Sequence, residues 1–289
     1  SPRNASVPAS SRPRLADVIA PMSYALDIVE GQPEGHAIRA CMIAMRIAEE
    51  LDLHDDERLA LFYALLLKDA GGSATSARTC AVFGADDRTV KRDLRMTNWQ
   101  RRGPMLRLVA RHIDPDSKGR LKRVARLALG VGDTLHELAK ARAERGAEIT
   151  RSLHLPAPTS EAVRAIDEHW NGAGLPRGLS KHDIPLLARI ACLAQTAEVF
   201  AQNAGPEGAF RVATERSGTW FDPDVVKAFL ATRSDTAFWA RLHDPMVRQH
   251  VAGFEPPSLA IHADQDAVDR VAYAFAMIID AKSPWTVRH

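Results

Sequence analysis

Apolar residues in this chain recur at steps of three and four, and no stretch alternates apolar with polar as a half-buried strand must. That property confines the chain to helices packed on helices. Ile38, Cys41, Met45 and Ala48 form one buried face, and Leu59, Phe62, Leu65 and Leu66 another, with Gly71-Gly72 as its stop. Thr159 follows Pro158 as a candidate cap for a helix carrying Val163 and Ile166. Ser180, with Asp183 at the third helical position, reads as a capping-box variant opening a long helix through Ile184, Leu187, Ile190, Leu193, Ala197 and Phe200. Asp222 as cap, Pro223 in the first turn and Asp224 near the positive dipole end start a further helix. Val268, Val271, Ala272, Phe275, Ile278 and Ile279 mark a last amphipathic helix that ends before Ser283-Pro284. The expected fold is an all-α helical bundle.

A chain of 289 residues, 46% hydrophobic, can bury a sizeable core as one large or two smaller domains. Its formal net charge of +2 excludes a global field that would draw in nucleic acid or a membrane surface. Cys41, Cys80 and Cys192 are odd in number and lack metal or disulfide spacing, which predicts reduced core residues in a cytoplasmic protein. The longest apolar run, Val271 to Ile279, falls far short of the roughly 20 residues a membrane helix needs. The local exception to charge balance is the segment from Arg88 to Arg126, where thirteen Lys or Arg face only Asp93, Asp114 and Asp116. Such a segment can bind phosphates of a nucleic acid or a small molecule, or simply form a solvated helical face. Trp99 is its only large aromatic ring, which favours the second reading.

The stretch "DEHWNGAGLPRGL" at 167–179 combines flanking acids with Gly172, Gly174 and Pro176 and reads as a tight loop with Asn171 in it. Taken in order with "GHAIR" (35–39), "LLLKDAGG" (65–72), "IPLLARIACLAQTAEVF" (184–200) and "GTWFDPDVV" (218–226), it resembles the HD-GYP family of metal-dependent phosphohydrolases. The resemblance covers roughly residues 20–230. It implies an HD-domain-like helical bundle, two or three metal ions, and hydrolysis of a cyclic dinucleotide such as cyclic di-GMP.

Carried over position by position, the family's metal site keeps His36 and Asp69 and loses most of the rest. The acid before the first histidine falls on Gln32, the histidine of the His-Asp pair on Lys68, and the lysine beyond that pair on Gly72. A later histidine falls on Arg142, four residues before Gly146. Two paired histidines fall on Ile166 and Asp167, the acid after them on Glu168, and a last aspartate on Gln195. His36 and Asp69 alone cannot hold two ions, and a lysine at 68 repels a cation while offering its own ammonium to Asp69, Asp167 or both. His169 and Trp170 read as packing residues.

The resulting expectation is a degenerate domain with vestigial His36, Asp69, Asp167 and Glu168, a ligand loop of Asn171, Gly172, Gly174 and Pro176, and no metal. It would act as a regulatory, sensing or dimerisation module for a catalytic phosphodiesterase module following His289. The boundaries are a mobile tail over 1–14, a helical domain over 15–263 with an insertion over about 73–130, and a linker helix over 264–289 whose apolar stripe could pair two copies. The first alternative is an active phosphohydrolase using His36, Asp69, Asp167 and Glu168 with iron, manganese or zinc. The second is nucleic-acid binding through 88–126.

Overall fold

The three-and-four spacing becomes helix nearly everywhere the sequence places it. The structure is a computed structural model and describes residues 12–75, 79, 87–97, 102–112, 120–244, 246–247 and 251–280. Cys80, Trp99 and the segment 281–289 that ends at His289 lie outside the described residues, as do positions 1–11 of the expected tail. In chain order the helices are α1 (Leu15–Val29), α2 (His36–Glu50), α3 (Asp55–Leu67), α4 (Asp87–Met96), α5 (Arg102–His112), α6 (Arg120–Ser152), α7 (Ala157–Ala165), α8 (Leu186–Arg216), α9 (Pro223–Ala231), α10 (Thr236–Arg241) and α11 (Gln265–Asp280). Among the described residues there is no strand, only isolated bridges such as Asn171 with Ser180. None of the described helices is long and apolar enough to cross a membrane.

At the centre, α2 packs between α3 and α8, and α8 also contacts α7 and α9. Ile38, Cys41, Met45 and Ala48 are fully buried, as are Phe62 and Leu65 of α3; each large apolar side chain so covered contributes about 1.5–3 kcal/mol. The first turn of α2 carries no cap of its own. Gly35 precedes it with φ +81°, and the carboxylate of Asp27, on α1, accepts from the Ala37 amide at 3.1 Å. A buried acid from a neighbouring helix thus satisfies one of the free amides at that positive helix end. The turn after α3 runs so close to α6 that a Cβ on Gly71 would stand 2.0 Å from the Arg142 carbonyl oxygen. That approach sets Lys68 and Asp69 against Arg142.

Four local expectations are corrected. Thr159 is not a cap: α7 begins two residues earlier behind Pro156, and the Thr159 hydroxyl donates to the Ala60 carbonyl at 3.2 Å. Ser180 opens only a 3₁₀ turn, Lys181–Asp183, because Pro185 forces Ile184 into extended backbone and the helix starts at Leu186. Residues 12–14 are pinned, since Ala263 donates to the Pro13 carbonyl at 2.9 Å and the Arg14 guanidinium to the Ala252 carbonyl at 3.1 Å. The apolar stripe of α11 is covered by its own chain: Val271 and Ile278 are buried with Ala267 and Ala274, and α11 packs on α1, α6 and the 3₁₀ turn at 72–75. Ala272 and Ile279, expected on that stripe, are exposed. By contrast, Asp222 caps α9 as expected and accepts from the Asp224 amide at 2.9 Å.

Candidate functional site

The turn after α3, the middle of α6, the start of the 167–179 loop and the face of α8 bring five side chains into one chain of contacts. Lys68 Nζ donates to one oxygen of Asp69, and Arg142 donates to the other at 3.1 Å. The same guanidinium reaches Asp167 at 2.9 Å, and Gln195 makes a long contact with the remaining Asp167 oxygen at 3.5 Å. Lys68 and Asp69 are sealed from water at 1% and 2% exposure. Burial alone would lower the pKa of Arg142, but Asp167 and Asp69 beside it outweigh burial and hold the guanidinium charged. Lys68 therefore pairs with Asp69 as the sequence suggested, while Asp167 goes to Arg142.

His36 lies on a second buried cluster. Its Nδ1 contacts one oxygen of Glu198, whose other oxygen accepts from Arg39 Nε at 2.6 Å. Burial pushes Glu198 towards its neutral form, and His36 and Arg39 reverse that, leaving it below the usual carboxylate range. Between the clusters, Asp27 is fully buried, and burial raises its carboxyl to about 7 against the opposing charge of Lys68.

A metal does not fit this donor set. Every oxygen of Asp69 and Asp167 faces an ammonium, a guanidinium or an amide, and among the described residues no group of three or more His, Cys, Asp or Glu could hold an ion. Glu168, read as the third acid of an altered metal site, instead accepts the amides of Arg177 at 2.7 Å and Leu179 at 2.9 Å. Those two bonds draw the 167–179 loop closed around its carboxylate. Ile166 is core, and Gln32 is buried away from the cavity with no acceptor for its side-chain Nε2 among the described residues.

The cavity beside the charged chain holds about 170 Å³. Arg142, Asp167 and Gln195 border it with Glu30 and Lys91, and Leu138, Leu175 and Val199 give it an apolar side. Asn171, Gly172, Gly174 and Pro176 do not line it; from that loop Leu175 does. His169 stacks on Trp220 at 4.0 Å between ring centres, and Arg216 covers Trp220 at 4.1 Å. Burial lowers His169 to about 4, so it is neutral at pH 7 and packs as expected. Sequence reading missed Glu30, Lys91 and Glu198. A lone acid inside the apolar run of α8 was a visible signal for Glu198; the other two are joined to the site only by folding.

Residues 132–225 match the HD-domain family. The chain carries an HD domain. Over 281 residues it is 34% identical to the 3'3'-cGAMP-specific phosphodiesterase 3 of Vibrio cholerae, covering 95% of this chain and 60% of that protein. A crystal structure of a cyclic GMP-AMP-specific phosphodiesterase from the same species superposes with a TM-score of 0.75 at 29% identity, covering 96% of this chain and 63% of that one. A shorter match, 35% over 77 residues, or 25% of this chain and 21% of the other, is to a cyclic di-GMP phosphodiesterase of Thermotoga maritima. The HD-domain chain thus spans about 60% of the length of the first relative.

These matches overturn the expectation of a regulatory, sensing or dimerisation module. That expectation weighed five substituted ligand positions alone. The identity to a phosphodiesterase runs through nearly the whole chain, including α1 to α5, which lie outside the HD-domain match.

Proposed function

We propose that this chain works in the hydrolysis of a cyclic dinucleotide, with the nucleotide held in the cavity between α6, α8 and the turn after α3. The near-complete alignment to a 3'3'-cGAMP-specific phosphodiesterase carries this reading. The reaction adds water across one P–O bond, opening the ring to a linear dinucleotide with a phosphomonoester at one end and a hydroxyl at the other. At about 170 Å³ the cavity takes one base of such a ligand rather than the whole ring. Leu138, Leu175 and Val199 offer apolar cover for a base, Thr75, Thr79 and Thr196, whose hydroxyls donate to backbone carbonyls, offer their oxygens as acceptors, and Arg142 and Lys91 bring positive charge to the wall.

What the chain's own residues supply is binding and orientation. Arg142 cannot swing freely, because Asp69 and Asp167 hold it from both sides, so its guanidinium presents a fixed positive face. The family's catalytic ions have no fitting donor set in the charged chain. The test is binding and turnover of 3'3'-cGAMP, with the linear product resolved by chromatography. Ala139→Phe, which fills the cavity from α6, should abolish binding and turnover together. Unchanged binding in that variant, or no binding of any cyclic dinucleotide to the wild type at millimolar concentration, overturns the proposal.

A further inference from the structure

The basic segment sends one side chain into the cavity wall, and the sequence is adapted at two points to let it in. The helix α4 seats against the end of α1 and the turn after α3. A Cβ on Gly31, whose φ is +68°, would stand 2.4 Å from the Arg88 carbonyl oxygen. A Cβ on Gly72 would stand 2.2 Å from a carboxylate oxygen of Glu30. Any larger residue at either place pushes α4 or Glu30 out of position.

Into the space so kept, Lys91 extends from α4. Its Nζ donates to Glu30 at 2.7 Å and to the Gly72 carbonyl at 3.0 Å. The Lys91 side chain is 11% exposed and that of Glu30 is 2% exposed, and both border the cavity. An ammonium taken this far out of water gives up much of its hydration, and the carboxylate and the carbonyl each replace part of it. The placement is hard to explain as a surface lysine on a solvated face.

We propose that Lys91 binds a phosphate group of the nucleotide in the cavity, with Glu30 as its counter-ion when the cavity is empty; this rests on the reading of the cavity as a nucleotide site. Of the charged groups near it, Lys68 is sealed behind the wall and Arg142 is held by two carboxylates. Among the described Lys and Arg residues that border the cavity, Lys91 has the flexible stem to change partners. An ammonium on a four-carbon stem turns its donors with little cost, whereas a guanidinium held by two carboxylates cannot. A phosphodiester oxygen replaces the Gly72 carbonyl as acceptor, and Glu30 competes with it for the same charge. Lys91 is thus a substrate-binding residue contributed by a helix outside the HD-domain match.

The competition makes the test two-sided. Calorimetric titration with 3'3'-cGAMP and, separately, with pyrophosphate is run on wild type, Lys91→Ala, Lys91→Arg and Glu30→Gln. Lys91→Ala should weaken both ligands about tenfold or more, the weight of one hydrogen bond to a charged group. Lys91→Arg should restore part of the affinity, and Glu30→Gln should raise it by removing the rival carboxylate. A purely structural pair predicts the opposite pattern: lower melting temperatures in Lys91→Ala and Glu30→Gln with affinities unchanged, and that result overturns the proposal. If wild type binds pyrophosphate in a Lys91-dependent way but not 3'3'-cGAMP, the nucleotide reading fails while Lys91 stands as an anion-binding residue. Failure of wild type to bind either ligand overturns both.

Discussion

Lys68 shows how much of the site rests on single charges. Its ammonium is fully buried against Asp69, and that carboxylate's other oxygen belongs to Arg142. Removing the ammonium leaves a sealed carboxylate without its buried cation, so Lys68→Met is expected to destabilise the fold by about 3–5 kcal/mol, the cost of breaking a buried pair. Chemical denaturation checks this, and a midpoint within error of wild type would refute it. Two other buried groups titrate in opposite senses. Asp27, raised from 3.8 to about 7, binds its proton more tightly when folded, so its contribution is full below pH 4 and lost as pH rises to 7. His169, lowered from 6.5 to about 4, is kept neutral by folding, so its contribution is full above 6.5 and lost as pH falls to 4. Between pH 4 and 6.5 the two nearly cancel. Asp27→Asn should therefore unmask a stability that climbs with pH over that window, and His169→Phe one that declines. Melting curves across the range read both slopes, and parallel profiles in the three proteins would discard the assignment.

At the scale of elements, the helices were legible because their faces repeat, and the errors sit where a proline or a distant carbonyl outweighs a local signal. Ser180 and Asp183 carry cap chemistry, yet Pro185 two residues after Asp183 decides where α8 begins. Thr159 looks like a cap until its hydroxyl finds the Ala60 carbonyl on α3. The candidate site was half legible for a similar reason: Lys68, Asp69, Arg142, Asp167 and Gln195 fall in one motif order, whereas Glu30 and Lys91 are joined to them only by the crossing of α1, α4 and the turn after α3. The close approach of α3's following turn to α6 gives a direct check on that geometry. Gly71→Ala would place a methyl 2.0 Å from the Arg142 carbonyl oxygen and 2.7 Å from the Gly146 nitrogen. Overpacking against backbone is expected to cost about 1–3 kcal/mol. It should also loosen the Asp69–Arg142 contact, so the variant should lose nucleotide affinity as well as melting temperature; a wild-type melting temperature would show that the two elements do not touch so closely.

For the molecule as a whole, the bonds between residues 12–15 and 261–263 fix an order of events during synthesis. His262 and the Arg12 carbonyl are 3.2 Å apart in space and 250 positions apart along the chain. At about 5–20 residues per second, the apolar side of α1, with Leu15, Ile19 and Leu26, has no α11 to close against for roughly 12–50 s after it leaves the ribosome. Asp69 likewise waits for Arg142, and His36 and Arg39 wait for Glu198, before their buried contacts can form. A nascent chain stalled before residue 250 should therefore be held by chaperones and cut readily within α1, whereas one extended through α11 should resist protease there. Pulse-labelled ribosome complexes stopped at the two lengths distinguish these outcomes, and equal resistance at both would mean that α1 docks without its partner. A fold whose first and last described helices seal one another is protected only once both have been translated, which makes its yield in a cell sensitive to elongation speed as well as to stability.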